Sequence, residues 1–587
     1  MPARGRWRAL VALAGSIAFL NAASLPAEDS WPVPDAEATS WADEQLARLS
    51  LERRVAQMFW EPIEGDYLAA DDPRMARWSA LARDHGVGGF VVYGGTPHTV
   101  AHLLNSLQGA SSLPLLISAD FEGGPGQQFA GATEFPANMA LAAIGSEELA
   151  YSVGRVGARE GRAVGIHLTY APVVDVQNLP ANPALGVRSF GADLGQLKRL
   201  STALVRGYQG NGMLATAKHY PGRGDVELIP GTEFMVNRKP ADRVIAEDLA
   251  AFEAVIHAGV AFVMSEHIAV PALTDGSDLP ASVNRTLAFH WLRERLGFKG
   301  VLISDDLWYP KVTRRFGAER ASVLAVRAGH DAILKPADTI ASITAVVGAV
   351  RAGEIPPAQI DESVRKLLYW KARLGLHRSR IVDAARIPRE VGVREHRELR
   401  DRIADESLTL VRNREFFPVR RELGRVVHVA IHRREREPAV TEVGSRLAAA
   451  FKVSETFSIG PTTDRSLREE AVAAARSADT VLVSLFSQRK VYVDNGRLSQ
   501  ADRHLISALS AARPDSTVVM AYGNPYLTAD APDATAVLTG YGEGGFFGNQ
   551  LVYADSLVRL LQGGIRPRGR LPVTVAPGLE IGTGIRY

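Results

Sequence analysis

Short apolar runs that end in polar residues recur along the first two-thirds of the chain. Val87 to Tyr93 leaves through Gly94. The run Leu113 to Ala119 enters Asp120-Phe121-Glu122-Gly123-Gly124, Ile166 to Val174 enters Asp175, and Met213 to Ala217 enters Lys218-His219. Val260 to Ser265 ends in Glu266-His267, Gly300 to Ser304 in Asp305-Asp306, and Ala332 to Leu334 in Lys335. A short apolar run without strict alternation fits a strand buried on both faces. A charged terminus belongs where such a strand leaves the core. Between the runs the period changes. In residues 241–258, Ile245, Leu249, Phe252 and Ile256 fall at steps of four, three and four, with Glu247, Asp248 and Glu253 elsewhere on the wheel, which predicts an amphipathic helix. Residues 194–210 and 317–328 follow the same rule, and Leu49 to Phe59 reads as a helix capped by Ser50. Strand and helix in alternation predict a parallel sheet. The number of units and their polar ends favour a (β/α)8 TIM-type barrel over an open doubly wound sheet, with the polar strand ends gathered at one mouth.

The pattern divides the chain. Residues 46–375 carry the barrel units, and residues 376–400 are charged and weakly periodic, as a linker would be. Residues 401–587 hold a shorter α/β unit with strands near Val426–Ile431, Val481–Phe486, Val518–Tyr522 and Ala536–Gly540. Helical stretches near 464–476, 500–512 and 549–562 separate them. At the N-terminus, Arg4, Arg6 and Arg8 precede an apolar run from Ala9 to about Leu20 and then the small residues Ala22, Ala23 and Ser24. That order predicts a secretory signal over residues 1–27, followed by a Pro-, Ala- and acid-rich leader over 28–45. A periplasmic or secreted protein follows, with no membrane association after signal removal.

Composition narrows the chemistry. The chain has 587 residues, a net charge of +2 and no cysteine. Near-neutral charge gives no reason to expect a nucleic-acid partner. The absence of cysteine removes disulfides, thiol catalysis and thiolate metal sites. Asp120, Glu122, Asp175, His219, His267 and Asp305 could ligate a metal by type, but no tightly spaced motif such as His-Glu-x-x-His occurs, and neither metal nor organic cofactor is expected. The glycines of 122–126 and 222–224 form neither a P-loop nor a dinucleotide fingerprint, and no Gly-x-Ser-x-Gly elbow is present. A mouth rich in carboxylates, with Lys, His and Arg among them, suits glycoside hydrolysis, which needs one ionised carboxylate at the anomeric carbon and one proton donor. The expected partner is a small saccharide substrate.

Several segments together resemble glycoside hydrolase family 3, nearest its β-N-acetylhexosaminidase branch. They are Leu49–Phe59, Asp120–Phe129, Tyr170–Val176, Asn182–Gly191, Ala217-Lys-His-Tyr-Pro-Gly-Arg-Gly-Asp225 and Ile303-Ser-Asp-Asp-Leu307. Residues 401–587 resemble the family's α/β sandwich domain, and Arg568–Thr574 its C-terminal segment. The resemblance implies a retaining exo-β-glycosidase, N-acetylhexosaminidase-like, with Asp305 as the nucleophile that forms a covalent glycosyl-enzyme. It places Asp120, Arg188, Lys218 and His219 on the substrate. β-Glucosidase or phosphorylase activity, or carbohydrate binding without catalysis, are the alternatives.

The sequence departs from that branch at the proton donor. The branch reads Lys-His-Phe-Pro-Gly-His-Gly-Asp followed by Asp-Ser-His, whose Asp-His dyad is its acid/base. Here Arg223 replaces the second His of the motif, and Ile229-Pro230-Gly231 stands where Asp-Ser-His would be. The candidate replacements are Glu233, which follows Gly231-Thr232 in a loop shaped by Pro230, then Glu227, and Glu543 in the second domain. Asp225, part of the ordinary motif, is expected to be structural.

Overall fold

The computed structural model describes residues 35–69, 71–180, 182, 185–226, 234–433, 438–486, 496–542 and 550–587. Eight parallel strands form the first domain: β1 (Phe59–Glu64), β2 (Gly89–Tyr93), β3 (Leu116–Ala119), β4 (Leu168–Thr169), β5 (Leu214–Tyr220), β6 (Phe262–Ser265), β7 (Val301–Ser304) and β8 (Ile333–Leu334). They pair in sequence order, and β8 returns to β1 with Phe59 beside Ile333 and Trp60 beside Leu334. A bridge between Ile303 and Ala332 joins β7 to the start of β8 and closes the ring. The barrel expected from the sequence is therefore present. β2, β3, β5, β6 and β7 are buried almost throughout, as parallel strands covered on both faces must be.

Three local readings change. The helix expected over Leu49–Phe59 stops at Gln57, and Phe59 begins β1. Val55, Met58 and Phe59 keep the helical apolar phase, so periodicity alone runs the helix on; pairing to both β2 and β8 makes the strand. The leader read over 28–45 runs into a helix, Ala36–Arg48, that crosses its end and packs on the helix Pro357–Arg373, burying Ala38, Ala42 and Leu46 at steps of four. In the predicted helix 241–258 a wide turn at Val244–Leu249 shifts the phase by one residue. Ile245 is turned to solvent, and Asp248 is buried against Lys239 (2.7 Å) and Asn237 (3.0 Å).

The second domain is a six-stranded sheet of β9 (Thr409–Asn413), β10 (Val426–His432), β11 (Val453–Ile459), β12 (Thr480–Phe486), β13 (Thr517–Ala521) and β14 (Ala536–Thr539), in the order β9-β14-β13-β12-β10-β11. Only β9 is antiparallel, along β14. One face packs against Leu505, Ile506 and Leu509, the other against Val443, Leu447 and Leu557, which makes an α/β sandwich. It is tied to the barrel by main-chain bonds from Ala192 to Pro572 (3.0 Å), Ala137 to Tyr541 (3.1 Å) and Arg570 to Ala143 (3.0 Å). Among the described residues, no helix is long and apolar enough to cross a membrane.

Candidate active site

The C-terminal ends of the strands bring the predicted residues to one mouth. Asp120 follows β3, Lys218 and His219 end β5, Glu266 follows β6, Asp305 follows β7 and Lys335 follows β8. Three ion-paired layers result.

The first surrounds Lys218. Its Nζ reaches Asp120 Oδ1 at 2.8 Å and Glu122 Oε1 at 2.6 Å, and Arg188 grips the same Glu122 through Nε (2.8 Å) and Nη2 (2.6 Å). Burial works against charge at Glu122, but Arg188 and Lys218 outweigh it and hold its carboxyl well below the usual range. Burial likewise opposes the Lys218 ammonium; Asp120 and Glu122 prevail and raise it. Arg188 sits in a short turn, Gly186–Arg188, whose carbonyl accepts from Asn138 (2.8 Å). All four residues predicted to contact substrate are thus gathered here: Asp120, Arg188 and Lys218 in one network, with His219 Nε2 at 3.4 Å from Arg188 Nη2.

The second layer lies beneath. Asp175 accepts from His219 Nδ1 (2.7 Å), from the His219 N–H (3.2 Å) and from the Arg223 N–H (2.7 Å). Burial lifts its carboxyl to about 6 against those donors. Burial, then Arg223, Arg188 and Lys218, depress His219, so its ring is neutral. The neutral ring carries its proton on Nδ1 toward Asp175 and leaves Nε2 to accept from Arg188.

The third holds Asp305. Its N–H continues the ladder to Ser265 O (2.8 Å), and its Oδ1 accepts the Asp306 N–H (2.7 Å). Arg223 pairs with Glu266 and places Nη2 at 3.6 Å from Asp305 Oδ2. His267 donates from Nε2 to the Asp306 carbonyl (3.1 Å), takes a bond from Ser282 Oγ at Nδ1 (2.8 Å), and stacks on Tyr309. Burial opposes ionisation of Asp305, but His267, Arg223 and the Asp306 N–H overcome it and lower its pKa. Asp306 moves the other way: burial and the charge of Asp305 raise it, although Lys335 holds its Oδ2 at 2.9 Å. The adjacent carboxylates are therefore not equivalent. Asp306 also accepts from Trp308 Nε1 (3.3 Å), and Lys335 lies 4.2 Å from the Tyr93 ring centre.

His219, Glu266 and Asp305 offer ligand atoms within 4.8 Å of one another. The Arg223 guanidinium pairs with both carboxylates of that trio, so a cation already sits among them. Asp225 pairs with Lys239 (2.5 Å) and accepts from Asn178 (3.2 Å). The proton-donor candidates Glu227, Glu233 and Glu543 lie outside the described residues. Sequence reasoning read Glu122 only as a metal ligand by type and Arg223 only as a departure from the motif that could favour an anion, and gave Glu266 no role. Their signal was position, since each stands at or just after the end of a barrel strand.

A barrel mouth that keeps a partly open carboxylate ionised among acids braced by cations suits a carbohydrate-active hydrolase. The model of the glycosyl hydrolase family 3 N-terminal domain matches residues 52–369, and that of the family's C-terminal domain matches residues 323–583. The chain belongs to glycosyl hydrolase family 3 and is a glycoside hydrolase. It is 28% identical over 569 residues to a beta-N-acetylglucosaminidase/beta-glucosidase from Cellulomonas fimi, covering 92% of this chain and 96% of that one. A family 3 beta-N-acetylglucosaminidase from Paenibacillus sp. str. FPU-7 superposes with a TM-score of 0.78 at 29% identity, over 90% of this chain and 99% of that chain. The fold is shared too with the beta-glucoside phosphorylase BglX, with a TM-score of 0.79 at 23% identity over 93% and 97% of the two chains.

Proposed function

We propose that this enzyme is a retaining exo-β-N-acetylglucosaminidase that also accepts β-glucosides, with Asp305 as nucleophile. The observation that carries the reading is the state of Asp305. Among the described residues it is the carboxylate of the mouth with a lowered pKa that keeps part of its surface open, at 21% side-chain exposure. Asp120, Lys218, Arg188 and His219 stand around it as ligands for sugar hydroxyls. In the first step an Asp305 oxygen bonds to the anomeric carbon as the glycosidic bond breaks, and the leaving oxygen takes a proton from the acid/base. In the second, water bonds to that carbon, gives its proton to the acid/base, and the ester bond returns its electrons to Asp305. The other described acids at the mouth are committed: Glu122 and Asp120 to Lys218, Asp175 to His219, Glu266 to Arg223, Asp306 to Lys335. The acid/base is therefore assigned to Glu233, with Glu227 and Glu543 as the alternatives. Export to the periplasm or exterior belongs to the same reading, supported by the basic, apolar and small-residue order of residues 1–27.

The test compares 4-nitrophenyl β-N-acetylglucosaminide with the β-glucoside, each with and without phosphate. Faster turnover of the N-acetylglucosaminide, independent of phosphate, is expected, and Asp305→Ala should lower it roughly a thousand-fold or more. A product that is a sugar phosphate would make the enzyme a phosphorylase. Binding without turnover would leave only carbohydrate recognition.

A further inference from the structure

Beneath Asp305 lies an ion pair that sugar recognition does not use. Arg223 and Glu266 are 3% and 2% exposed, and one guanidinium nitrogen, Nη2, meets Glu266 and lies 3.6 Å from Asp305 Oδ2. Arg223 is fixed along its backbone. Its N–H donates to Asp175 (2.7 Å), its carbonyl accepts from Asn182 Nδ2 (2.7 Å), and the next residue, Gly224, lies so close to the Val176 carbonyl that a Cβ would collide with it. Glu266 is fixed as well: its Oε1 accepts the N–H of His267 (2.7 Å), and its own N–H donates to Tyr220 O (2.8 Å). One cation is thus shared by a sealed carboxylate and by the carboxylate that faces the substrate.

Resting on the reading of Asp305 as nucleophile, we infer that Arg223 is a catalytic group acting on Asp305, and that Glu266 is the positioning residue that holds it there. Ester formation consumes the Asp305 charge, and hydrolysis restores it. When water attacks the glycosyl-enzyme, the electrons of the breaking bond return to an oxygen beside the guanidinium, which makes Asp305 a better leaving group. Glu266 takes part of the same cation, so Asp305 is left basic enough to attack. The other groups acting on Asp305 are His267, Lys218, Asp306 and Tyr309, with the neutral ring of His219 within 4.8 Å. Of these, His267 is tied to Glu266 through the N–H that Oε1 accepts, and the amide oxygen of Glu266→Gln keeps that acceptor.

The test is the double variant Arg223→Met/Glu266→Gln, which neutralises both members and so leaves no lone buried charge, alongside single Glu266→Gln. In the double variant the acid limb of kcat/KM on 4-nitrophenyl β-N-acetylglucosaminide should move up by about one pH unit. Its kcat should fall about ten-fold with KM falling alongside, and intact-protein mass should show one sugar added at steady state. In Glu266→Gln the limb should move down, as Arg223 gives itself wholly to Asp305; this measurement stands if the double variant does not fold. A folded double variant with an unmoved limb and no adduct would reduce the pair to a structural one. Loss in Glu266→Gln that is far greater on poor leaving groups, with azide rescue giving a β-glycosyl azide, would instead make Glu266 the acid/base and overturn the proposal. If residual activity of Asp305→Ala kept the wild-type limb, the nucleophile reading would be what fails.

Discussion

Two lysines, buried alike, mark the two ends of the barrel. Lys218 at the mouth is 3% exposed and Lys371 at the floor is 0%. Lys218 faces two carboxylates, and its pKa is raised against the cost of burial. Lys371, on the helix Pro357–Arg373, meets the neutral amide oxygen of Gln57 at 2.6 Å, and burial drops it to about 7. Gln57 in turn donates to Gly86 O just below β2 (2.8 Å). The same side chain at the same depth is thus a permanent cation at one end and a group poised between charged and neutral at the other. Desolvation is common to both lysines, and carboxylates offset it at Lys218 whereas burial is the whole cause of the shift at Lys371. Fixed charge is concentrated where a sugar would be bound.

The largest break in that comparison is expected at the mouth. Lys218→Met leaves Asp120 without its cation and Glu122 with Arg188 alone. It should cost about 3–5 kcal/mol in a denaturant titration and at least roughly a hundred-fold in kcat/KM. At the floor the sign reverses. Lys371→Met removes a group that must lose its proton or be buried charged, and should raise stability at pH 7 by on the order of 2–4 kcal/mol with kcat unchanged. The pH profile sharpens the contrast. Below the folded pKa of about 7, Lys371 is charged in both states and the penalty is complete. From there to the unfolded value near 10.4 the unfolded chain binds the extra proton, so stability should climb with pH by up to about 1.4 kcal/mol per unit. Lys371→Met should lose that climb. Smallest is Asp306→Asn, which removes a raised carboxyl beside Asp305 while Lys218 and Arg223 stay in place; a two- to ten-fold fall in kcat is expected from steady-state kinetics.

The barrel was legible because its strands are apolar runs with charged ends, and the same ends listed most of the mouth. What periodicity could not separate was β1, whose Phe59 continues the phase of the helix before it, and the register of 241–258, where one wide turn moves Ile245 out and Asp248 in. Asp305 and Asp306 are identical letters side by side. Only their surroundings, Arg223 and His267 for one and the charge of Asp305 for the other, give them opposite pKa shifts. Glu266 was visible as a strand end, but its partner Arg223 stands 43 positions earlier (266 − 223), and a contact at that separation exists only once β5 and β6 lie side by side.

The central claim, that Asp305 attacks the sugar, is tested most directly by trapping. The enzyme is treated with a 2-deoxy-2-fluoro-β-glucosyl fluoride, digested, and mapped by mass. A single fluoroglucosyl group on Asp305, absent from Asp305→Ala, is expected. A label on any other residue, or an α-configured first product by NMR, would contradict it.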